Sequence, residues 1–165
     1  MMSPARHLVG ALPPALYADC RAILATAAWR EEPATGPSFA FDTCDLSLPP
    51  LDRWIREALG PQLGLGPPYT LQWKRLRPGI GRFPWHRDHR RGGDVGLVLN
   101  LSAGPVQGGV FEQRLRWEQT PAAVIHSQPR DVHTFDVANP RWVHRVTPVV
   151  GETDRVVYAG WAATP

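Results

Sequence analysis

His86 and Asp88 stand two apart in the run RFPWHRDHRRGGDVGLVLNLS, residues 82–102. On a strand, residues i and i+2 point to the same face, so an imidazole and a carboxylate placed this way can hold one metal ion. By itself His-x-Asp is a weak pattern whose ordinary reading is a polar strand edge, and the chemistry depends on a third ligand. Downstream the chain offers His89, His126, His133 and His144. His144 lies in WVHRVTPVV, whose apolar strand-forming neighbours would hold a ligand stiffly. Further on, Arg155 opens DRVVYAGW. A 2-His-1-carboxylate face with open positions suits a non-haem Fe(II) that activates O2. Such iron needs an electron source. A bidentate keto acid can serve, and its far carboxylate matches the planar fork of an arginine.

The elements that position these residues must then be strands. YTLQWKRLRPG alternates and turns at Pro78-Gly79. DVGLVLNLS is a buried-strand pattern closed by Ala103-Gly104-Pro105. GGVFEQRL, AAVIH, DVHTFDV, WVHRVTPV and DRVVYAGWAA are further short β-rich runs separated by Pro, Gly, Asn and Asp. Many short strands at regular spacing predict a sandwich or barrel. Up to about Leu59 the chain instead reads as helical. PPALYADCRAILATAAW carries Leu16, Cys20, Ile23, Leu24 and Ala27 at helical spacing behind Pro13-Pro14. PPLDRWIREALG puts Leu51, Trp54, Ile55 and Leu59 on one face, with Gly60 as its stop. EEPATGPSFAFDT between them is loop, with a short strand over 39–41. The expected class is mainly β with packed N-terminal helices (α+β), the helices lying on an eight-strand-like sandwich. One domain is expected over 1–165, helical to about residue 65 and β from about 66 to 162, because neither part alone can bury its apolar face.

The bulk numbers fit that class. With 43% hydrophobic and 20% charged residues, the 165-residue chain is of globular composition and large enough for a sizeable core. No run is long and apolar enough to span a membrane. The basic N-terminus has its apolar stretch broken by Pro13-Pro14, so no secretory signal is expected. Cys20 and Cys44 lack zinc or redox spacing, which predicts reduced thiols and a cytoplasmic protein. A net charge of +3 is mildly basic and is no nucleic-acid signature. Lys74 is the only lysine, and many arginines gather over 75–91. That cluster reads either as a solvated surface or as a field that draws small anions toward His86.

Roughly residues 71–161 resemble the 2-oxoglutarate and Fe(II)-dependent oxygenases, nearest to their prolyl-hydroxylase-like branch. The resemblance rests on RPGIGRFPWHRD, with its Pro-Gly turn, an aromatic residue shortly before the first ligand, and His-x-Asp. It rests also on LVLNLS, on GGVFE, and on the pair VHRVTPV and DRVVYAGW. Each piece is weak alone and the combination is specific. The family fold is a double-stranded β-helix, a cupin-like jelly roll, which agrees with the strand count. The resemblance implies that His86, Asp88 and His144 bind iron and form the catalytic centre. It implies that Arg155 binds the distal carboxylate of 2-oxoglutarate. Fe(II) would be the cofactor, 2-oxoglutarate the cosubstrate and O2 the oxidant. An unactivated C–H bond would be hydroxylated, with succinate and CO2 as coproducts.

The chain also departs from the family pattern. Arg77 stands where the branch has a Tyr before Pro-Gly, and Asn100 where another Tyr often hydrogen-bonds oxoglutarate. Both become candidate oxoglutarate-binding residues, in a pocket whose polarity suits a polar or anionic substrate. Arg75 shares a strand face with Arg77. Asp88 leaves no place for the halide of the superfamily's halogenases. Trp161 takes the position of a second Arg in its nucleic-acid dealkylases, so nucleic acid is not an expected partner. The expected substrate is a small molecule, an amino acid or a peptide. The alternative is a protein hydroxylase acting on a prolyl or other side chain. Outside that class stand a cupin-like metalloprotein and a non-catalytic binding module. Trp85 and Trp142 read as packing and Trp161 as core. His89, His126 and His133 read as surface residues or as neighbours of the ligands. HRRGGD reads as a mobile loop over the pocket or as a solvated turn.

Overall fold

The computed structural model describes residues 5–32, 39–88 and 93–165. The N-terminal part runs β1 (Ala5–Leu8), α1 (Pro14–Leu24), β2 (Arg30–Glu31), β3 (Asp42–Thr43), α2 (Pro49–Trp54), a π-helical turn (Ile55–Leu59) and α3 (Gly60–Leu63). Then come β4 (Gly66–Leu76), β5 (Phe83–His86), β6 (Val95–Asn100), β7 (Gln107–Gly108), β8 (Phe111–Leu115) and β9 (Ala123–Ile125). The chain ends with β10 (Val132–Asp136), β11 (Trp142–Val146), β12 (Val149–Val150) and β13 (Arg155–Ala163). Among the described residues, a major sheet has the order β1-β10-β6-β13-β4-β3-β2 and a minor sheet the order β5-β11-β8-β9. A mainly β jelly roll with N-terminal helices is thus the architecture.

β6 shows why the layers form. All six of its residues are buried, which is unusual for a strand with one wet face. Val95, Leu97 and Leu99 pack outward with Leu12, Leu24, Leu51, Ile55 and Leu59 of the helical part. Val98 packs inward with Phe111, Phe135, Val157 and Ala159. Strand alternation therefore gives one core between the helices and the major sheet, and a second between the two sheets. β13 follows the same rule. Val156 and Tyr158 face the helices, while Val157, Ala159 and Trp161 face inward. Tyr158 stacks on Trp73 and donates to Asp52 Oδ1 at 3.1 Å, tying α2 to the sheet.

The expected elements are present, with instructive differences. α1 starts at Pro14, where the missing N–H leaves no helical bond unmade. Gly60 does not stop the second helical run. That run widens into the π-helical turn just before Pro61, whose ring and absent N–H a regular helix would not accept. It ends at Gly64, which takes the left-handed conformation at φ +68°. The strand expected over 39–41 is a bridge between Ala40 and Arg82, and β3 begins at Asp42. β1 lies in the stretch read as non-strand and pairs with β10, Ala5 opposite Phe135 and His7 opposite His133. Its four residues, Ala5 and Leu8 half-buried and Arg6 and His7 exposed, carry no periodic signal of their own. With β1, β2 and β3 in the major sheet, the N-terminal part is not purely helical. The HRRGGD loop falls largely outside the described residues.

Candidate active site

β5 and β11 are antiparallel neighbours with His86 directly opposite His144, and directly opposed residues share a sheet face. Their rings lie 4.2 Å apart, centroid to centroid. β5 ends at His86, and Asp88 projects from two residues beyond it. Asp88 Oδ1 is 3.4 Å from His86 Nε2, and Oδ2 is 3.6 Å from His144 Nε2. One ligand atom from each residue can be chosen so that all lie within 4.8 Å of one another. Three donors each about 2.1 Å from one ion, at roughly right angles, would lie about 3 Å apart. The triad is close to that spacing, so these residues fit a metal.

The neighbours orient the donors. His86 Nδ1 donates to the carbonyl of Pro84 at 2.7 Å, which leaves Nε2 as the ligand atom. Trp161 Nε1 donates to Asp88 Oδ2 at 3.0 Å. Burial pushes the Asp88 carboxyl up, but the bond to His86, the charges of His144 and His86, and the Trp161 bond outweigh it and hold the group down at about 2. Burial pushes the His144 imidazole down to about 3, with His86 adding and Asp88 opposing. At neutral pH the site thus offers an ionised carboxylate and a neutral imidazole, the protonation states a metal requires.

The triad lines a cavity of about 670 Å³ between the sheets, within the usual range for a small-molecule site. Phe39, Phe41 and Phe83 form an aromatic wall beside His86. Arg155 enters from the start of β13, 2% exposed, and its Nε and Nη2 have no hydrogen-bond partner among the described residues. Gly109, at φ +58°, makes its room: a Cβ there would come within 2.7 Å of Arg155 Cδ. Burial pushes the guanidinium down to about 10, so it stays charged at neutral pH. The structure therefore brings His86, Asp88, His144 and Arg155 to one cavity.

Arg77 and Asn100 are placed elsewhere. Arg77 Nε lies 3.1 Å from Asp42 Oδ2, which also accepts from Arg75 at 2.9 and 2.7 Å. Gln72 and Lys74 line the cavity, so alternation sends Arg75 to the opposite face, and Arg77 follows it to the same carboxylate. Asn100 is fully buried. Its Nδ2 donates to the Ser127 carbonyl at 3.0 Å and to Ser127 Oγ at 3.2 Å, and its Oδ1 accepts from the Ser102 amide. Neither residue lines the cavity. Trp85 is held between the guanidinium groups of Arg114 and Arg145 and also lies off the cavity.

Three lining residues were not legible as such. Trp161, read as core, is the donor that holds Asp88. Lys74 has its Nζ 5.5 Å from the Phe83 ring and 6.0 Å from the Trp161 ring. Burial lowers its pKa, with Asp88 opposing and Arg155 adding. His133 lies in the apolar part of the cavity beside Phe111. The available signals were the uniqueness of Lys74 among the cations and the alternation of His133 with Phe135.

No family model matches the sequence, and no curated protein matches it. Solved structures do match. A prolyl-4-hydroxylase from Pseudomonas putida superposes with a TM-score of 0.67 at 20% identity, covering 98% of this chain and 92% of that one. The chain shares a fold with these enzymes. An oxidoreductase of the 2OG-Fe(II) oxygenase family from Burkholderia pseudomallei gives 0.68 at 17% identity, covering 98% and 88%. HygX from Streptomyces hygroscopicus, with nickel and 2-oxoglutarate bound, gives 0.60 at 16% identity, covering 95% and 81%. At these identities the likeness speaks to fold, a double-stranded β-helix with packed N-terminal helices. The triad's own geometry speaks to the metal.

Proposed function

We propose that this chain is an Fe(II)- and 2-oxoglutarate-dependent oxygenase that hydroxylates an unactivated C–H bond of a small molecule, amino acid or peptide. One observation carries the reading. His86, Asp88 and His144 converge at metal-ligand spacing in a cavity that also receives the buried Arg155, whose Nε and Nη2 meet no partner among the described residues. Bound together, iron and 2-oxoglutarate supply the oxidising chemistry: O2 is consumed, oxoglutarate leaves as succinate and CO2, and the substrate C–H bond becomes C–OH. The protein's own part is binding, orientation and the exclusion of water. His86, Asp88 and His144 would hold the ion, with Pro84 and Trp161 fixing His86 and Asp88. Arg155 would take the distal carboxylate of oxoglutarate through its fork of donors. Phe39, Phe41 and Phe83 would keep water from the reacting carbon. Lys74 supports a substrate that carries a negative group, since its amine borders the cavity and, among the described residues, makes no ion pair within 4 Å, although the Asp88 and Glu32 carboxylates act on it from farther off. The enzyme reading treats 1–165 as one domain, supported by β1, β2 and β3 completing the major sheet, which carries Arg155, Trp161 and Lys74 on the cavity wall opposite the triad's strands. A cytoplasmic location is supported by the free, buried Cys20 and Cys44. Among the described residues no helix is long and apolar enough to cross a membrane.

The test is conversion of oxoglutarate to succinate, followed by mass spectrometry with Fe(II) and O2 in the presence of small acids, amino acids and peptides. Succinate should form with the wild-type protein, and at least one candidate should gain 16 mass units. Conversion no faster than in the Asp88→Ala variant with every candidate would overturn the reading.

A further inference from the structure

His133 sits on β10 directly opposite Val98 of β6 and is 1% exposed. Neither of its ring nitrogens has a hydrogen-bond partner among the described residues. Buried polar side chains are paired in the large majority of cases, so a histidine with both nitrogens unpaired requires an explanation. Its surroundings make the choice odder. Phe111 lies 4.9 Å away and Phe135 6.5 Å away, ring centre to ring centre, and a leucine would satisfy them better than an imidazole.

His133 lines the same cavity as the triad and Arg155. Arg155 shows the same anomaly, nearly complete burial with Nε and Nη2 unpaired among the described residues, and burial together with its positive charge keeps His133 neutral. Val98, Val157 and Ala159 between them offer no donors. Two buried polar side chains with nitrogens unpartnered among the described residues, one cationic and one neutral, on the wall of one cavity form a built anion site. A carboxylate accepts about four hydrogen bonds. A guanidinium fork fills two of these places and leaves others for a neutral donor.

We infer that His133 is the second donor at the distal carboxylate of 2-oxoglutarate, beside Arg155. The inference rests on the oxygenase reading. His133 brings an N–H without a second charge, so it adds orientation while Arg155 supplies the attraction. It also explains why this histidine is kept among phenylalanines.

The experiment uses protein loaded with Mn(II), which permits binding without turnover, and calorimetric titration with two keto acids. One is 2-oxoglutarate. The other is 2-oxopentanoate, which has the same carbon chain and no distal carboxylate. His133→Leu should weaken oxoglutarate binding about tenfold or more, the usual loss for a hydrogen bond to a charged group, and leave 2-oxopentanoate unchanged. His133→Gln, which keeps an N–H donor, should recover part of the loss. The melting temperature of metal-free His133→Leu should equal or exceed that of the wild type, because leucine buries no unpaired polar atom. Equal oxoglutarate affinity in wild type and His133→Leu would overturn the inference. So would an equal weakening of both acids accompanied by a lowered melting temperature, which marks a structural role. A wild-type protein that does not distinguish the two acids would overturn the oxoglutarate reading itself, a result separate from the other two.

Discussion

Arg75 and Arg155 lie on neighbouring strands, with Leu76 opposite Arg155 and Val156 opposite Arg75, yet they live in opposite chemical worlds. Arg75 points to the outer face and gives two hydrogen bonds to the buried Asp42 carboxylate, which Arg77 also contacts. Arg155 points inward, more deeply buried, and its Nε and Nη2 meet no acceptor among the described residues. One residue of strand parity separates the two outcomes. On the outer face the fold satisfies its own cations. In the cavity it keeps polar groups in place without satisfying them, which folding alone does not favour. Such groups are where a ligand's charge belongs.

The contrast can be broken most severely at the metal. Asp88→Ala or His144→Ala should reduce affinity for Fe(II) or Mn(II) by more than the 10- to 100-fold that loss of a mere supporting contact produces, with the far-ultraviolet circular dichroism unchanged. Next comes Arg155→Leu. Oxoglutarate binding to the metal-loaded protein should weaken by about 2–5 kcal/mol, while thermal stability without ligands holds or rises because a buried unpaired charge has gone. Trp161→Phe removes the bond to Asp88 and keeps the ring, so metal affinity should fall about 10- to 100-fold, as read by competition with a chelating dye.

The outer face predicts the reverse pattern. Arg75→Met strips two charge-assisted hydrogen bonds from buried Asp42 and should lower unfolding free energy in urea by about 1.5–3 kcal/mol, leaving oxoglutarate affinity alone. Arg77→Met, at a more exposed side chain, should change stability by about 1 kcal/mol or less. The cavity also predicts an acid sensitivity. His133 and His144 are held neutral by burial, one well below its ordinary 6.5 and the other at about 3. Between those limits and 6.5 the unfolded chain binds more protons, so metal-free stability should be full above about pH 6.5 and decline as pH falls toward 3. His133→Leu should flatten that decline in a series of urea titrations.

Much of the site was legible because it is written in short spacing. His86 and Asp88 are two apart, and His144 and Arg155 each lie in a strand pattern of their own. The residues that depended on barrel closure were not. Whether a polar residue in β4 faces Asp42 or the cavity turns on which alternate set meets the minor sheet, and the sequence around Arg77 and Lys74 is polar on both faces. Asn100 looked like a ligand contact, but a strand end beside Ser102 and Ser127 claims its amide. Trp161 looked like packing because its single N–H finds Asp88 only when β13 and the end of β5 come together. The helices were visible from apolar spacing, whereas β1 was not, since a four-residue edge strand with no buried residue takes its definition from β10. The π-helical turn reflects a clash between a helical pattern and Pro61 that periodicity alone does not reveal.

The central claim is that this cavity binds a metal and oxoglutarate together, and anaerobic titration followed by visible absorption tests it most directly. Fe(II) is added to the purified protein and then 2-oxoglutarate. A keto acid chelating Fe(II) gives a charge-transfer band that neither component gives alone. The band should appear with wild-type protein at about one equivalent of each, and be absent with Asp88→Ala at the same concentrations. No band with the wild type, or the same band with Asp88→Ala, would contradict the account.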